Sequence, residues 1–220
     1  ADQQALAEQT HSKFERVLQS FGEPAELRTE GVDLRPRFRE LELYAKDQGR
    51  RPSCAVFAVV SALEYLHADR TGKAEQFSEE YLIWATRRTI ARPEAAGELT
   101  GDDADEGFAL SEVITALRTY GIPLERSLPN TLGRSMEGVT APSPAVIREA
   151  QTRTEGSVHF VPGRDNATRL NNIVQALNAG VPVPIGTAWP RFNNMRAALL
   201  NSQVPSYAHA VTLVGYRCPS

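Results

Sequence analysis

Three stretches of this 220-residue chain carry an apolar pattern strong enough to define an element. Over residues 3–21, Leu6, Phe14, Val17, Leu18 and Phe21 fall near one helical face, and Gly22 with Pro24 ends the run. That spacing predicts an amphipathic helix, and pattern alone does not separate a helix docked on the fold from one that binds a partner. Residues 55–63 (AVFAVVSAL) are apolar nearly all round, which predicts a helix inside a core, reaching to about Leu66 or His67. Residues 207–216 (YAHAVTLVGY) are apolar and β-branched, and read as a buried strand.

Weaker signals fill the intervals. A polar turn is expected over residues 69–73. Ser78 then caps a helix with Glu79 and Glu80 in its first turn and Arg87 and Arg88 in its last, charges that suit the helix dipole at both ends. Further helices are expected over residues 111–120, stopped by Gly121, and 166–178, closed by Gly180. Residues 127–144, with Pro129, Gly133, Gly138, Pro142 and Pro144, read as a connector. Residues 156–162 look like a strand bearing His159, and residues 181–186 like a short apolar strand whose prolines place it at a sheet edge. Between them in character stands the loop 92–107, rich in Gly and acid. Its Asp102, Asp103, Asp105 and Glu106 could attract a hard cation, but they lack the ligand order of a calcium loop, so a solvated acidic loop with no metal is expected.

Composition narrows the classes. The length suits one domain or two closely packed lobes with a real core. A formal charge of −3 and a pI near 5.9 offer no electrostatic case for nucleic acid or an anionic membrane. The longest apolar run, residues 55–60, is far too short to cross a bilayer. The chain opens Ala-Asp-Gln-Gln without Met and without a visible signal peptide, from which we expect that something upstream was removed, a hint toward export. With only Cys54 and Cys218, one disulfide is conceivable, at the expense of the Cys54 thiol, and no framework of bridges can form.

Chemistry concentrates at residues 47–54 (DQGRRPSC), a polar turn that delivers Cys54 to the first position of the buried helix. Unpaired backbone N–H groups and the positive end of the dipole converge there, a setting that biases a thiol toward the nucleophilic thiolate. A lone Cys among Ala, Val and Phe is more often a small buried hydrophobe. Gln48, six residues earlier, can however turn its amide toward the sulfur and donate to a developing oxyanion. Of the four histidines, His11 sits on an exposed helix, His67 at a helix end and His159 in no motif; His209 lies in the apolar strand, where a satisfied core group is the commoner case.

The Gln48–Cys54 segment resembles the active-site region of the papain-like (C1 family) cysteine peptidases, in which a Gln lies six residues before the nucleophile. Other blocks resemble the same family in order and distance: VDLRP at residues 32–36 its mature amino-terminal strand, YAKDQG at 44–49 the approach to the site, FSEEYL at 77–82 its Leu-Ser-Glu-Gln block, and YGIP at 120–123 the block after that. EGFA at 106–109 is similar to its Gly-Gly-aromatic cleft segment, with Glu106 in place of the first Gly, and the strand at 207–216 to its His-Ala-Val-x-x-Val-Gly-Tyr strand. The resemblance implies an α+β, papain-like two-lobed fold, a helical lobe led by the Cys54 helix and a β-rich, barrel-like lobe, spanning residues 32–220. Residues 1–31 would then be a helical extension, either an extra docked helix or a remnant of an inhibitory pro-segment.

By that resemblance Cys54 is the nucleophile, His209 the base and Gln48 an oxyanion donor of a peptidase that needs no cofactor. Gly107, Phe108, Ala109, Gly186, Tyr207 and Ala208 would line the substrate cleft. An uncharged Ala208 suggests an apolar substrate side chain there. The family orients its histidine with an Asn followed by Ser-Trp on a later strand; the sequence ends at Ser220 before such a segment, so truncation, or supply of the Asn by a downstream segment or a separate chain, is expected. Arg51 stands where many relatives carry a Cys, and Pro52 and Ala55 replace a Gly and a Trp beside the nucleophile. Two alternatives stay open: an inactive papain-like module that binds peptides or proteins, and a thiol amidase or acyltransferase.

Overall fold

In a computed structural model, the structure describes residues 2–90, 107–134, 138–154, 158–190, 193–194, 199–200 and 205–218. The order along the chain is α1 (Gln3–Ser20), β1 (Val32–Asp33), α2 (Arg35–Glu40), α3 (Cys54–Thr71), α4 (Glu79–Ile90), α5 (Leu110–Tyr120), α6 (Pro144–Ala150), α7 (Asn166–Asn178), β2 (Val183–Pro190), β3 (Asn193–Asn194), β4 (Leu199–Leu200), β5 (Pro205–Leu213) and β6 (Gly215–Tyr216). It is an α+β arrangement in which helices α3, α4 and α5 hold one core and the β2–β5 ladder separates it from a second. No described helix is long and apolar enough to cross a membrane.

Helix α3 is the axis. Ala55, Val56, Val60 and Ala68 are fully buried, and the first three of these join Tyr81, Leu82 and Ile83 of α4 and Val113, Ala116 and Leu117 of α5 in the larger core. The helix runs four residues past His67, through what reads locally as a polar turn. Tertiary contacts explain the extension: Asp69 pairs with Lys13 of α1, and Gly72 closes the helix in the left-handed region at φ 70°, where a side chain would be strained.

The β2–β5 ladder is antiparallel, with Gly186 opposite Ala210 and Thr187 opposite His209. Because side chains alternate, Ala210 faces the α3 core while Val183, Ile185 and Leu213 face the second core with Val17, Leu34, Ala176 and Leu177. The strand expected to stop at Gly186 continues to Pro190, since β5 supplies a partner for its whole length. β1 pairs with β6 and β3 with β4, each pair two residues long.

Some local readings need correcting. Only Val32 and Asp33 of the VDLRP segment form strand; Pro36 stands at the start of α2, a position where a missing N–H costs nothing. The connector expected over residues 127–144 gives way at Pro144 to α6, for which no element was expected; it is begun by the Ser143 side chain accepting from Val146 N–H and by Pro144 in the first turn. Described residues 158–162 are not strand. Their polar groups go elsewhere: Val158 O accepts from Arg118 and Pro162 O from the Asn172 amide. The acidic cluster at residues 102–106 and Gly156 lie outside the described residues.

Helix α1 and the residue after it run over the second core. Phe14, Val17 and Phe21 pack there, placing α1 along the end of α3 remote from Cys54, roughly 20 Å up the helix at 1.5 Å per residue. Side-chain amides of α7 then hold the following segment. Asn172 and Asn171 accept from Gly22 and Ala25 N–H at 3.1 and 2.8 Å, and Gln175 and Asn178 donate to Glu23 and Glu26 carbonyls at 3.0 and 2.7 Å.

Candidate active site

The turn before α3 is built by its own side chains. Asp47 Oδ1 accepts from Gly49 N–H at 2.8 Å, and Gly49 takes φ 72°, a conformation that favours glycine. The chain is thereby turned so that Gln48 Nε2 donates to Arg51 O at 2.8 Å. One amide hydrogen is spent on that bond, which fixes the side chain and leaves the other free of it. Ser53 makes no side-chain cap, and its carbonyl takes the first helical bonds from Val56 and Phe57. Cys54 follows as the first helical residue, half-buried, with a backbone N–H that by helix geometry has no intrahelical acceptor.

Strand β5 lies directly against this helix start. Ala210 N–H donates to Cys54 Sγ at 3.4 Å, and one helical turn on Thr212 Oγ1 donates to Ala58 O at 2.8 Å. Two residues 156 apart in sequence are thus in contact. His209 is the residue before Ala210, half-buried, and its ring meets Trp189 of β2 edge-on, with centroids 4.8 Å apart and planes at 83°. Burial pushes the His209 imidazole below its ordinary value, because a desolvated cation is disfavoured.

The other expected cleft residues lie on two elements, the segment leading into α5 and the β2–β5 ladder. Gly107 is exposed, and a Cβ there would come within 3.1 Å of Pro52 O, so it lies against the Cys54 turn. Phe108, like Cys54, is half-buried and packs against the larger core. Ala109 is exposed at the start of α5, its N–H donating to Glu112 at 2.8 Å. On the strand side, Gly186 is exposed and a Cβ there would meet nothing within 4 Å. Ala208 is exposed opposite Ala188, and Tyr207 is paired with Trp189 through the ladder, its side chain lying outside what is described.

The remaining candidates are elsewhere. His11 and His159 are exposed, and His67 pairs with Glu75 at 2.9 Å and meets Phe77 edge-on. The conceivable disulfide is not formed: both cysteines are free, and the Cys218 thiol donates to Arg28 O at the far end of β5–β6.

Three features escaped sequence reasoning. Trp189 lies beyond the expected end of β2, although the alternation Ile185, Thr187, Trp189 would have extended the strand to it. Arg51 is buried, its Nη1 2.6 Å from Glu80 Oε2 with side chains 2% and 0% exposed. Lys46 bridges Glu64 and Glu79 at 2.5 and 2.7 Å. Glu79 and Glu80, in the first turn of α4 as expected, are thus also interior partners of cations from the approach to Cys54.

No family profile and no curated protein matches this sequence. Solved structures do. The chain is similar to xylellain, a cysteine protease from Xylella fastidiosa, at 21% identity and a TM-score of 0.59, over 87% of this chain and 71% of that one. It is similar to digestive procathepsin L 3 of the Tenebrio molitor larval midgut at 20% identity and TM-score 0.54, covering 94% and 65% respectively. The proform of Amb a 11, a ragweed pollen cysteine protease, gives 22% and 0.54, covering 96% and 60%. The chain thus spans about two thirds of the length of these structures. At such identities the likeness is one of fold, and the fold is α+β and papain-like.

Proposed function

We propose that the chain is a cysteine-type peptidase of the papain-like class, hydrolysing peptide bonds through Cys54 and His209. The observation that carries this reading is the 3.4 Å contact from Ala210 N–H to Cys54 Sγ, which seats a helix-start thiol against the strand bearing His209. A half-buried imidazole of lowered basicity is neutral near pH 7 and can take the thiol proton. The resulting thiolate then stabilises the imidazolium beside it.

Cys54 attacks the scissile carbonyl carbon as thiolate, forming the C–S bond while the carbonyl π electrons move to oxygen. The second Gln48 amide hydrogen and the Cys54 backbone N–H are the donors at hand for that oxyanion. His209 gives its proton to the leaving amine as the C–N bond breaks, then takes one from the water that releases the acid. Gly107, Phe108, Ala109, Gly186 and Ala208 wall the neighbouring groove with small or apolar groups, which suits an apolar side chain on the peptide. Nothing in the fold or the comparisons supports a separate chain supplying an Asn.

The test is turnover of a fluorogenic peptide library by the wild type, Cys54→Ala and His209→Ala, with thermal melts of each. Both variants are expected to fold and to lose turnover, and His209→Ala to slow iodoacetamide labelling of Cys54 at about pH 6. Turnover surviving in Cys54→Ala sinks the reading. Peptide binding with no wild-type turnover assigns an inactive binding module instead. Release of ammonia from amides, or acyl transfer to amines, without peptide cleavage assigns a thiol amidase or acyltransferase.

A further inference from the structure

Arg51 holds the turn that carries Gln48 and Cys54, and it does so from inside the protein. Its guanidinium donates to Glu80 at 2.6 Å, to Thr131 Oγ1 at 3.0 Å and to Gly138 O at 3.0 Å. Glu80 is satisfied in turn by Thr131 N–H and Thr140 N–H at 3.2 and 3.0 Å. Gly133 lies so close over the guanidinium that a Cβ would fall 2.1 Å from Nη2, so Thr131, Gly133 and Gly138 are fitted to this one side chain. The main chain of the same residue completes the link: Arg51 O accepts from Gln48 Nε2 at 2.8 Å. One residue thus joins a buried ion pair to the Gln48 amide, six residues before the thiol.

From this we propose that Arg51 and Glu80 are positioning residues, an ion-pair staple that sets the orientation of the Gln48 amide beside Cys54. Neither touches substrate. They act through the Arg51 carbonyl, whose place is dictated by a side chain with no room to move. The inference rests on the peptidase reading for its kinetic arm only.

Removing one partner strands a buried charge and risks unfolding, so the informative variant replaces both by apolar groups of similar size, Arg51→Met with Glu80→Met, which buried pairs often tolerate. Thermal melts establish that this double variant folds. Its kcat on a peptide substrate is expected to fall roughly tenfold or more with KM little changed, and by no more than Gln48→Ala alone, since losing one oxyanion donor costs on the order of 100-fold or more. Introduced into Gln48→Ala, the double replacement is expected to cost almost nothing further.

A spectroscopic arm stands apart from activity. The Gln48 side-chain NH2 pair in 15N spectra is expected to show two dispersed, exchange-protected resonances in the wild type, and to collapse toward free-amide shifts in the double variant. A folded double variant with unchanged Gln48 resonances overturns the proposal, as does a kcat loss that adds fully to that of Gln48→Ala. Should the wild type show no turnover at all, the peptidase reading falls and the resonances alone decide the staple.

Discussion

Glu64→Gln isolates the charge cluster beneath the site. Glu64 Oε1 accepts from Lys46 Nζ at 2.5 Å and from Phe77 N–H at 2.7 Å, and the same ammonium donates to Glu79 at 2.7 Å. One cation therefore serves two buried carboxylates. Burial pushes the Glu64 carboxyl from 4.5 up to about 7, with Lys46 pulling the other way. It raises Glu79 too, while for Lys46 burial disfavours the charge and the two carboxylates more than restore it.

An acid whose native pKa exceeds its unfolded one binds its proton more tightly when folded. Its stabilisation is complete below about 4.5 and is lost as the pH rises through about 7. At about 1.4 kcal/mol per unit, that interval is worth about 3 kcal/mol. Gln keeps an oxygen for Phe77 and Lys46 but has nothing to ionise. Urea melts from about pH 4.5 to about pH 8.5 should show the variant gaining on the wild type by about 3 kcal/mol, most of it between pH 5 and 7. Taking the difference between the two proteins cancels the titrations of groups that do not interact with Glu64, leaving Glu64 and its partners Lys46 and Glu79. A gap that stayed flat, or that closed as the pH rose, would refute the assignment of burial as the dominant force on Glu64.

Two further outcomes follow from the site. Trp189→Ala opens the His209 ring to water, so the imidazole pKa, followed by its proton NMR titration, should rise toward the ordinary value; a pKa that stays put or falls removes Trp189 as its desolvating neighbour. Gly186→Leu places a side chain where nothing lies within 4 Å of a Cβ, so melting temperature should be nearly unchanged while KM rises for peptides with large apolar side chains at that subsite; equal KM values for small and large side chains would place the groove elsewhere.

How far the sequence could be read depended on how local each feature is. The helix over residues 166–178 was legible to the residue because Asp165 caps it and Gly180, at φ 78°, ends it within one turn. Local signals also served for α5, which begins one residue before the expected Ser111 and stops at Gly121, and for the α4 cap at Ser78, whose hydroxyl accepts from Tyr81 N–H. Residues 158–162 misled because an apolar run without a partner strand has no ladder to join. Glu79 and Glu80 stand in the first turn of α4 as expected, but their partners were not legible there. Acidic residues in a first turn agree with the helix dipole whether they face water or, as here, cations from residues 46 and 51.

By itself, the sequence determined the buried helix behind Cys54, the turn that starts it and the apolar strand around His209, because apolar periodicity and capping act within a turn or two of chain. Only the tertiary structure decided what surrounds the thiol: Ala210 N–H on the sulfur, Trp189 against the imidazole, and Arg51 locked to Glu80 under the turn. Partners 156 and 29 residues apart are chosen by which faces pack together and which buried charges must be neutralised, and neither choice is written in local order.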